Sequence, residues 1–129
     1  MAQYRLTRSA EVKIEQALTY SMTHYGSDAA SRYRALIVQA MRDLARQWQT
    51  LLRRGQAKTR DGLLIYPVRA SRRNVPRAVG IVGNPRGLLV GRIDDDGTLI
   101  VLTFVGEGMS DASILREAHG RTADDETQR

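Results

Sequence analysis

The sequence of 129 residues contains no cysteine. Disulfide bonds, thiolate nucleophiles and cysteine-ligated metal sites are therefore excluded, and the composition is compatible with a reducing compartment. No apolar run approaches the ~20 residues that a helix needs to cross a bilayer. The first residues, Met1 to Arg5, are not followed by a continuous apolar segment, so no secretory signal is evident. We expect a soluble, cytoplasmic protein with no membrane partner.

Histidine is also scarce. The two histidines, His24 and His119, do not lie in a His-x-x-x-His pattern or beside a set of acidic ligands. The acidic run at residues 94–96 offers oxygen ligands, but a turn between two strands explains it, since a calcium loop needs more ligands at fixed spacing. The sequence also lacks a Walker loop and a Rossmann fingerprint. We therefore expect no metal and no cofactor.

Acidic residues are almost absent from one long stretch of the chain. Between Arg53 and Arg92 the only acid is Asp61, against ten basic residues, so this window carries a net charge of +9. Because the total net charge is +6, the rest of the chain carries −3. A concentrated positive charge favours a polyanionic partner, such as nucleic acid or an acidic protein. The alternative is a solvated, arginine-rich surface that binds no ligand.

Two helices are predicted by apolar residues at spacings of three and four. Thr7 or Ser9 is expected to cap the first helix, which ends at Gly26, and Ser27 or Asp28 is expected to cap the second. The first stripe consists of Ala10, Ile14, Ala17, Leu18, Ser21 and Met22. The second stripe consists of Ala30, Tyr33, Ile37, Ala40, Met41, Leu44, Trp48 and Leu51. The short connection makes the two helices antiparallel neighbours.

Strands are expected after the second helix, which should end at Gly55. The strongest signal is a hairpin, in which two apolar runs at residues 88–93 and 99–105 flank Asp96-Gly97. An Asp-Gly pair supplies the positive φ angles that a tight hairpin turn needs. The remaining expectations are extended segments at residues 4–7, 63–68 and 79–83, a polar linker at residues 56–62 and an irregular basic loop at residues 69–76.

The order of these elements indicates one α+β domain. A strand, two helices and several consecutive strands predict an N-terminal strand and an antiparallel helix hairpin packed on a C-terminal, mostly antiparallel sheet. The helix hairpin gives the chain enough length for the first strand to pair with that sheet. We assign residues 1–115 to the domain, with a short helix at residues 112–115. Residues 116–129 are polar and are expected to form a disordered tail.

Few side chains are able to carry out acid–base chemistry. Tyr66 is followed closely by arginines, and together a phenol and guanidinium groups can stabilise a phosphate or assist proton transfer. The simpler interpretation is a basic loop with one packed aromatic residue, because the pKa of arginine is too high for a good general base. The catalytic candidates are Tyr66, Arg69, Arg72 and Arg92. The candidates for binding a target or a polyanion are Arg69, Arg72, Arg73, Arg77, Arg86 and Arg92.

Several short motifs, taken in order, resemble the RelE/ParE toxins of type II toxin–antitoxin systems over about residues 4–115. Residues 4–10 resemble the family's first strand and the start of its first helix. Gly26 with Ala30 and Tyr33 is similar to the Gly-x-x-x-Ala-x-x-Tyr joint between its two helices. The remaining similarities are to one ParE-like branch of the family. Residues 69–72 resemble its Arg-His-Ser-Arg strand, and residues 85–93 resemble its Pro-Arg-His…Tyr-Arg-Val strand. Residues 104–110 resemble its Val-Leu-His-Asp-Ser-Met-Asp ending.

The resemblance implies a small α+β toxin in which a helix hairpin lies on an antiparallel sheet and a tightly bound antitoxin neutralises the activity. In the ParE branch the toxin poisons DNA gyrase, and in the RelE branch it cleaves messenger RNA in the ribosome. A ParD-like antitoxin would bring an acidic, amphipathic segment, which suits the arginine-rich window by charge.

Departures from the ParE-like pattern help to separate these activities. Positions that carry histidine, tyrosine or aspartate in that branch are here Ala70, Gly87, Gly91, Gly106 and Ser110. Each change removes a polar or titratable group, and cleavage of RNA needs such groups. Our first hypothesis is therefore a ParE-like toxin that inhibits DNA gyrase by binding, without chemistry of its own. The alternatives are a RelE-like, ribosome-dependent messenger RNA endonuclease, which would contact RNA or the ribosome, and an inactive ParE-like binding protein.

Overall fold

A computed structural model of the chain describes residues 3–80, 82–83 and 85–118. The α+β class and the expected order of strand, helix hairpin and further strands are confirmed. Within the described residues, no helix is long and apolar enough to cross a membrane. The elements are β1 (Tyr4–Leu6), α1 (Arg8–Tyr25), α2 (Ser27–Arg53), β2 (Lys58–Arg60), β3 (Leu63–Pro67), a 3-10 helix (Val68–Asn74), β4 (Gly87–Ile93), β5 (Leu99–Gly106) and α3 (residues 111–118).

The five strands form one mixed sheet in the order β1-β5-β4-β3-β2. Three of the four neighbouring pairs are antiparallel, and β1 runs parallel to β5. A parallel pair needs a long connection between its strands, and the helix hairpin starts the excursion that separates β1 from β5. The prediction of a mostly antiparallel sheet is confirmed, with β1 as its parallel edge strand.

Thr7 fixes the start of α1 and joins it to the sheet. Its hydroxyl oxygen accepts a hydrogen bond from the backbone N–H of Ala10 at 3.1 Å, so Thr7 is the N-cap. The same hydroxyl donates to the carbonyl of Leu102 at 3.0 Å, and the backbone N–H of Thr7 donates to the carbonyl of Val101 at 3.1 Å. Leu102 is the extra residue of a β-bulge in β5, so the helix start is anchored at that irregularity.

The two helices are joined at Gly26 alone. This residue has a φ of 94° and ends α1, as expected, with its N–H donating to the carbonyl of Met22 at 3.0 Å. Because α2 begins at Ser27, Gly26 is also the N-cap of α2, and no side chain caps this helix. The predicted cap by Ser27 or Asp28 is therefore wrong, because the joint is too short to place either residue before the helix.

The stripes of α1 and α2 cover one face of the sheet, and most of their residues are buried as expected. Met22 is the exception at 56% exposed, because it is rotated by ~100° about the helix axis from the buried Ser21. Ala17, Tyr33 and Trp48 are half-buried. The buried sheet residues that pack in this cluster are Leu64, Tyr66, Leu89, Leu99, Val101 and Phe104.

The predicted polar linker at residues 56–62 is wrong, because it contains the edge strand β2. Gly55 has a φ of 73° just after α2, as expected of a glycine that follows a helix end. The chain then forms β2 and returns as β3 through a two-residue turn at Asp61 and Gly62, whose φ angles are 50° and 79°. Two positive φ angles in such a turn match the right-handed twist of a hairpin. The three residues of β2 are polar and exposed, which is why no apolar pattern marks them.

The predicted irregular loop at residues 69–76 is wrong for most of its length, because a 3-10 helix spans Val68–Asn74. The resemblance places a strand at residues 69–72 and is wrong at the same point. Pro67 is the last residue of β3 and lies beyond the reach of β2. Since proline has no N–H to donate, the ladder ends here and the chain leaves the sheet.

The predicted strand at residues 79–83 is also wrong in its described part. Val79 donates its N–H to the carbonyl of Pro76 at 3.0 Å, and Gly80 donates to Arg77 at 3.2 Å. These bonds form a turn, and Gly80 has a φ of 92°. Ile81 lies outside the described residues.

The predicted hairpin of β4 and β5 is confirmed, with a longer turn than expected. The N–H of Asp94 donates to the carbonyl of Thr98 at 3.0 Å, which leaves a loop of three residues. Gly97 has a φ of 87°, whereas Asp96 does not adopt a positive φ. One carboxylate oxygen of Asp94 accepts the N–H groups of Asp96 and Thr98 at 3.2 and 3.0 Å. The acidic run at residues 94–96 therefore forms the turn between the two strands, as the sequence analysis predicts.

The second face of the sheet is covered by α3. Ile114 and Ala118 are 1% and 0% exposed and pack on apolar residues of β3, β4 and β5. At the start of the helix, Asp111 pairs with Lys58 and Arg60 of β2 at 3.1 and 2.8 Å. Residues 116–118, which the sequence analysis assigns to the tail, belong to this helix, and residues 119–129 lie outside the described part of the chain.

Candidate polyanion-binding site

Five arginines lie in one segment between β3 and β4, which we call the arginine loop and define as residues 68–86. Its two ends meet at one end of the sheet, because Pro67 of β3 pairs with Leu88 of β4. The sheet thereby brings together residues that are far apart in sequence. The arginines of the loop are Arg69, Arg72, Arg73, Arg77 and Arg86.

Hydrogen bonds hold the first part of the arginine loop against the core. The hydroxyl groups of Tyr66 and Ser71 lie 2.7 Å apart, and both residues are buried. The side-chain amide of Asn74 donates to the buried carboxylate of Asp43 on α2 at 2.8 Å. The 3-10 helix is therefore fixed at two points, and its arginines extend from a rigid element.

Arg69 pairs with Glu107, the first residue after β5. The Nε and Nη2 atoms of Arg69 both lie 2.9 Å from the same carboxylate oxygen, Oε1. The backbone N–H of Glu107 donates to the carbonyl of Arg86 at 2.6 Å, directly beyond the last pair of the β4–β5 ladder. The end of the sheet therefore places the backbone of Arg86 beside Glu107, whose carboxylate holds the Arg69 side chain.

The other arginines of the loop point to solvent or brace it. Arg72 donates through Nη1 to the carbonyl of Gly83 at 3.3 Å, which links the 3-10 helix to the later part of the loop. Arg73, Arg77 and Arg86 are exposed. Across the described ranges, none of these three guanidinium groups has a carboxylate partner. The surface therefore carries an excess of unpaired positive charge.

Tyr33 of α2 lies half-buried beside this group of residues. Its ring is tilted against Phe104 of β5, with the centroids 6.3 Å apart. Burial, with a smaller contribution from the negative charge of Glu107, raises the pKa of Tyr33 to about 12. The phenol is therefore protonated near neutral pH, where it can donate a hydrogen bond but cannot act as a general base.

Tyr66 is not accessible to a substrate. Its side chain is 1% exposed, and its hydroxyl is engaged with Ser71. Burial is the main cause of a raised pKa for this phenol. Of the two interpretations of Tyr66 and its arginines, the geometry favours the packed aromatic residue under a basic loop.

Arg92 is separated from the arginine loop. It lies six residues after Arg86 along β4, which corresponds to roughly 20 Å in an extended strand. Its partner in β5 is Ile100, which belongs to the face that α3 covers. The structure therefore brings Arg69 and Arg86 together and leaves Arg92 at the opposite end of the strand.

Two glycines that replace polar residues of the resembling branch fill positions with no room for a side chain. A β-carbon at Gly87 would lie 2.1 Å from Cζ of Phe104 and 2.7 Å from the hydroxyl oxygen of Tyr33. A β-carbon at Gly91 would lie 2.5 Å from the backbone oxygen of Ile100, next to the bulge. These positions are therefore close approaches of packed elements.

Glu107 and Arg32 are site residues to which the sequence patterns assign no role. Glu107 follows the last strand and is the only acid between Asp96 and Asp111. Its isolation points to a pairing role only when the ends of the strands, and hence the nearby arginines, are known. Arg32 lies against the arginine loop, since a β-carbon at Gly80 would be 2.9 Å from its Cδ atom. In the described part of the chain, no group of three or more histidine, aspartate or glutamate residues is arranged to hold a metal ion.

The chain matches no model of a known protein family, and no curated protein sequence is significantly similar to it. The chemistry of the site therefore has to be argued from its own residues.

Proposed function

We propose that the chain is a ParE-like toxin of a type II toxin–antitoxin system that acts by binding DNA gyrase in its complex with DNA. The observation that carries this proposal is the arginine loop, which presents five arginines, of which only Arg69 pairs with a carboxylate in the described residues. Guanidinium groups bind phosphate and carboxylate groups through paired donors, so the loop suits a target that carries a polyanion.

The fold supports the same proposal. A first strand, a helix hairpin and a following sheet are the layout that the resemblance implies. A fold by itself does not determine an activity, so this support is by analogy. The proposed target and the proposed antitoxin partner both favour a cytoplasmic location.

Binding is better supported than cleavage of RNA. The four catalytic candidates do not form one site, because Tyr66 is buried and Arg92 lies at the far end of β4. The half-buried phenol of Tyr33 also lies at this end of the sheet, but its pKa of about 12 is far from the value that suits a general base at neutral pH. A ribosome-dependent endonuclease therefore has less support than a toxin that acts by binding.

The proposed antitoxin would neutralise the arginine loop by charge. An acidic, amphipathic segment can pair its carboxylates with Arg73, Arg77 and Arg86, which lack acidic partners in the described residues. An inactive relative that retains only this partner is the remaining alternative, and growth of cells that express the chain separates it from an active toxin.

A supercoiling assay tests the proposal directly. We expect the purified protein to inhibit gyrase at micromolar concentration and induced expression to stop growth. The double variant Arg69→Ala, Arg86→Ala should raise the inhibitory concentration by about tenfold or more. Arg42→Ala is a control for the loss of an arginine outside the site, because Arg42 is exposed on α2 and lies outside the arginine loop.

Three outcomes decide between the alternatives. Inhibition that the double variant loses and Arg42→Ala retains supports the proposal. Absence of gyrase inhibition, together with cleavage of messenger RNA on ribosomes, would instead establish the endonuclease. Normal growth and no effect on gyrase, together with a tight native partner, would identify the inactive binding protein.

A further inference from the structure

We propose that the guanidinium of Arg69 is a subsite for a backbone phosphate of nucleic acid, and that the carboxylate of Glu107 occupies this subsite in the free protein as an internal competitor. The inference rests on the polyanion-binding role proposed above for the arginine loop. It adds the position of one phosphate contact and a residue that limits its strength.

The donors that Glu107 occupies are the edge of Arg69 that recognises phosphate. The Nε and Nη2 atoms form one edge of the planar guanidinium group, and both are 2.9 Å from Oε1 of Glu107. This pair of parallel donors is the fork that binds two oxygens of a carboxylate or a phosphate. In this structure a single oxygen takes both donors, so a phosphate would use the fork more fully.

The backbone holds this contact in place while the side chain of Glu107 can leave it. The N–H of Glu107 is fixed on the carbonyl of Arg86, and the neighbouring residues are Gly106 and Gly108. The side chains of Arg69 and Glu107 are 55% and 22% exposed. An ion pair this close to solvent contributes little to stability, so an incoming anion can displace the carboxylate at small cost.

The surroundings of the pair favour a phosphate over the carboxylate. Arg86 adjoins the pair through the backbone and has no acidic partner in the described residues, so its positive charge is available to a ligand. Burial, with a smaller contribution from the charge of Glu107, keeps the Tyr33 phenol protonated, so it adds no negative charge near the pair. A phosphate that replaces the Glu107 carboxylate would therefore meet the guanidinium of Arg69 close to a further arginine that no carboxylate neutralises in the described residues.

A concave surface adjoins the pair. A cleft of about 310 Å³ is lined by both members of the pair, by Lys58 and Asp111, and by apolar residues that include Leu88 and Met109. Lys58 is itself paired with Asp111 at 3.1 Å, so the cleft carries two cations that are each covered by a carboxylate. A cleft of this size has room for the sugar attached to a bound phosphate.

The test compares affinities of the full-length protein for labelled 20-nucleotide DNA duplex and for single-stranded RNA of the same length. Glu107→Gln removes the competing charge and should tighten binding by about threefold to tenfold. Glu15→Gln is the matched control, because Glu15 pairs with Arg34 at 3.4 Å on the exposed surface and its loss changes the net charge equally. This control should change the affinity by less than about twofold.

Two further variants separate the subsite from a general effect of charge. Glu107→Asp keeps the charge but shortens the side chain, and should give a smaller tightening of the same sign. In an Arg69→Gln background, Glu107→Gln should lose its effect, and the salt dependence of binding should fall by about one phosphate contact. Thermal melts confirm that each variant is folded.

Equal changes for Glu107→Gln and Glu15→Gln would overturn the inference, as would tightening that persists without Arg69. If Glu107→Gln tightens the binding of one nucleic acid more than the other, that nucleic acid is the source of the phosphate. If Glu107→Gln tightens only the binding of inorganic phosphate, the result supports the subsite but does not distinguish DNA from RNA. The gyrase assay reports separately on the proposed function. A negative gyrase result with the expected change in affinity would leave the subsite standing.

Discussion

At the scale of the residue, Gly87 shows how a missing side chain shapes the end of the sheet. The aromatic rings of Phe104 and Tyr33 occupy the space that a β-carbon would need. Gly87→Ala should therefore destabilise the protein by about 1–3 kcal/mol, because the packed rings have to move. Urea denaturation of the wild type and the variant measures this difference.

The control for that substitution lies directly across the same strand pair. Gly106 of β5 pairs with Gly87, but a β-carbon there meets no atom within 4 Å. Gly106→Ala should change the free energy of unfolding by no more than about 0.5 kcal/mol. Similar losses in the two variants would mean that strand conformation, rather than the aromatic contact, requires glycine at position 87.

Tyr33 makes stability depend on alkaline pH. Its pKa is raised from the usual 10.0 of a tyrosine to about 12 in the folded state, mainly by burial, so the folded chain holds the phenolic proton more tightly than the unfolded chain. The resulting stabilisation is complete below about pH 10 and is lost as the pH rises towards 12. Wild-type protein should therefore lose more stability than Tyr33→Phe across this interval.

Denaturant midpoints measured at pH 9, 10 and 11 check this expectation. The other tyrosines titrate in both proteins, so the difference between the two curves isolates Tyr33. Parallel curves would show that the phenol titrates equally in the folded and unfolded chains. Absorbance of the ionised phenol at high pH offers a second measurement of the same group.

At the scale of the element, the 3-10 helix depends on a buried pair of hydroxyl groups. Ser71→Ala leaves the hydroxyl of Tyr66 buried without its partner at 2.7 Å, and should cost about 1–2 kcal/mol. Adding Tyr66→Phe should recover part of that loss, because neither hydroxyl is then left unsatisfied. A double-mutant cycle by urea denaturation measures the coupling, and additive losses would show that the hydroxyl pair contributes nothing.

The elements that sequence predicts well are those whose pattern is long. The two helices show their stripes over several turns, and β4 and β5 are strongly apolar, so local patterns suffice for them. β2 and the 3-10 helix carry no such pattern. β2 is polar because it is an edge strand with exposed side chains, although the Asp61-Gly62 turn beside it is a signal of a hairpin.

The sequence predicts the arginines of the candidate site but not which of them lie together, because that depends on how the strands pair in the sheet. Composition identifies the arginines, but strand pairing decides which of them meet. Arg69 and Arg86 converge because β3 and β4 pair where the loop begins and ends, whereas the length of β4 carries Arg92 away. The partnership of Arg69 with Glu107 spans 38 residues, and no local pattern encodes a contact of that range.

At the scale of the whole molecule, the sheet is buried on both faces. The helix hairpin covers one face, and α3 covers the other. A chain of this size buries a modest core, so a short helix on the second face contributes a substantial share of its stability. The C-terminal part of the chain is therefore part of the folded domain at least as far as Ala118, which is 0% exposed.

Ile114 is the residue through which this arrangement is best tested. It is 1% exposed and packs among apolar residues of the second face, so Ile114→Ala should destabilise the whole domain by about 2–4 kcal/mol. Leu115 is the matched control on the same helix, because it is only half-buried and its truncation to alanine should cost less than about 1.5 kcal/mol.

Urea denaturation followed by tryptophan fluorescence reports on Trp48, which lies on the opposite layer, so a single shifted transition would show that α3 and the helix hairpin unfold together. A loss confined to α3, seen as amide exchange there with an unchanged fluorescence midpoint, would contradict the expectation and define α3 as an independently detaching element.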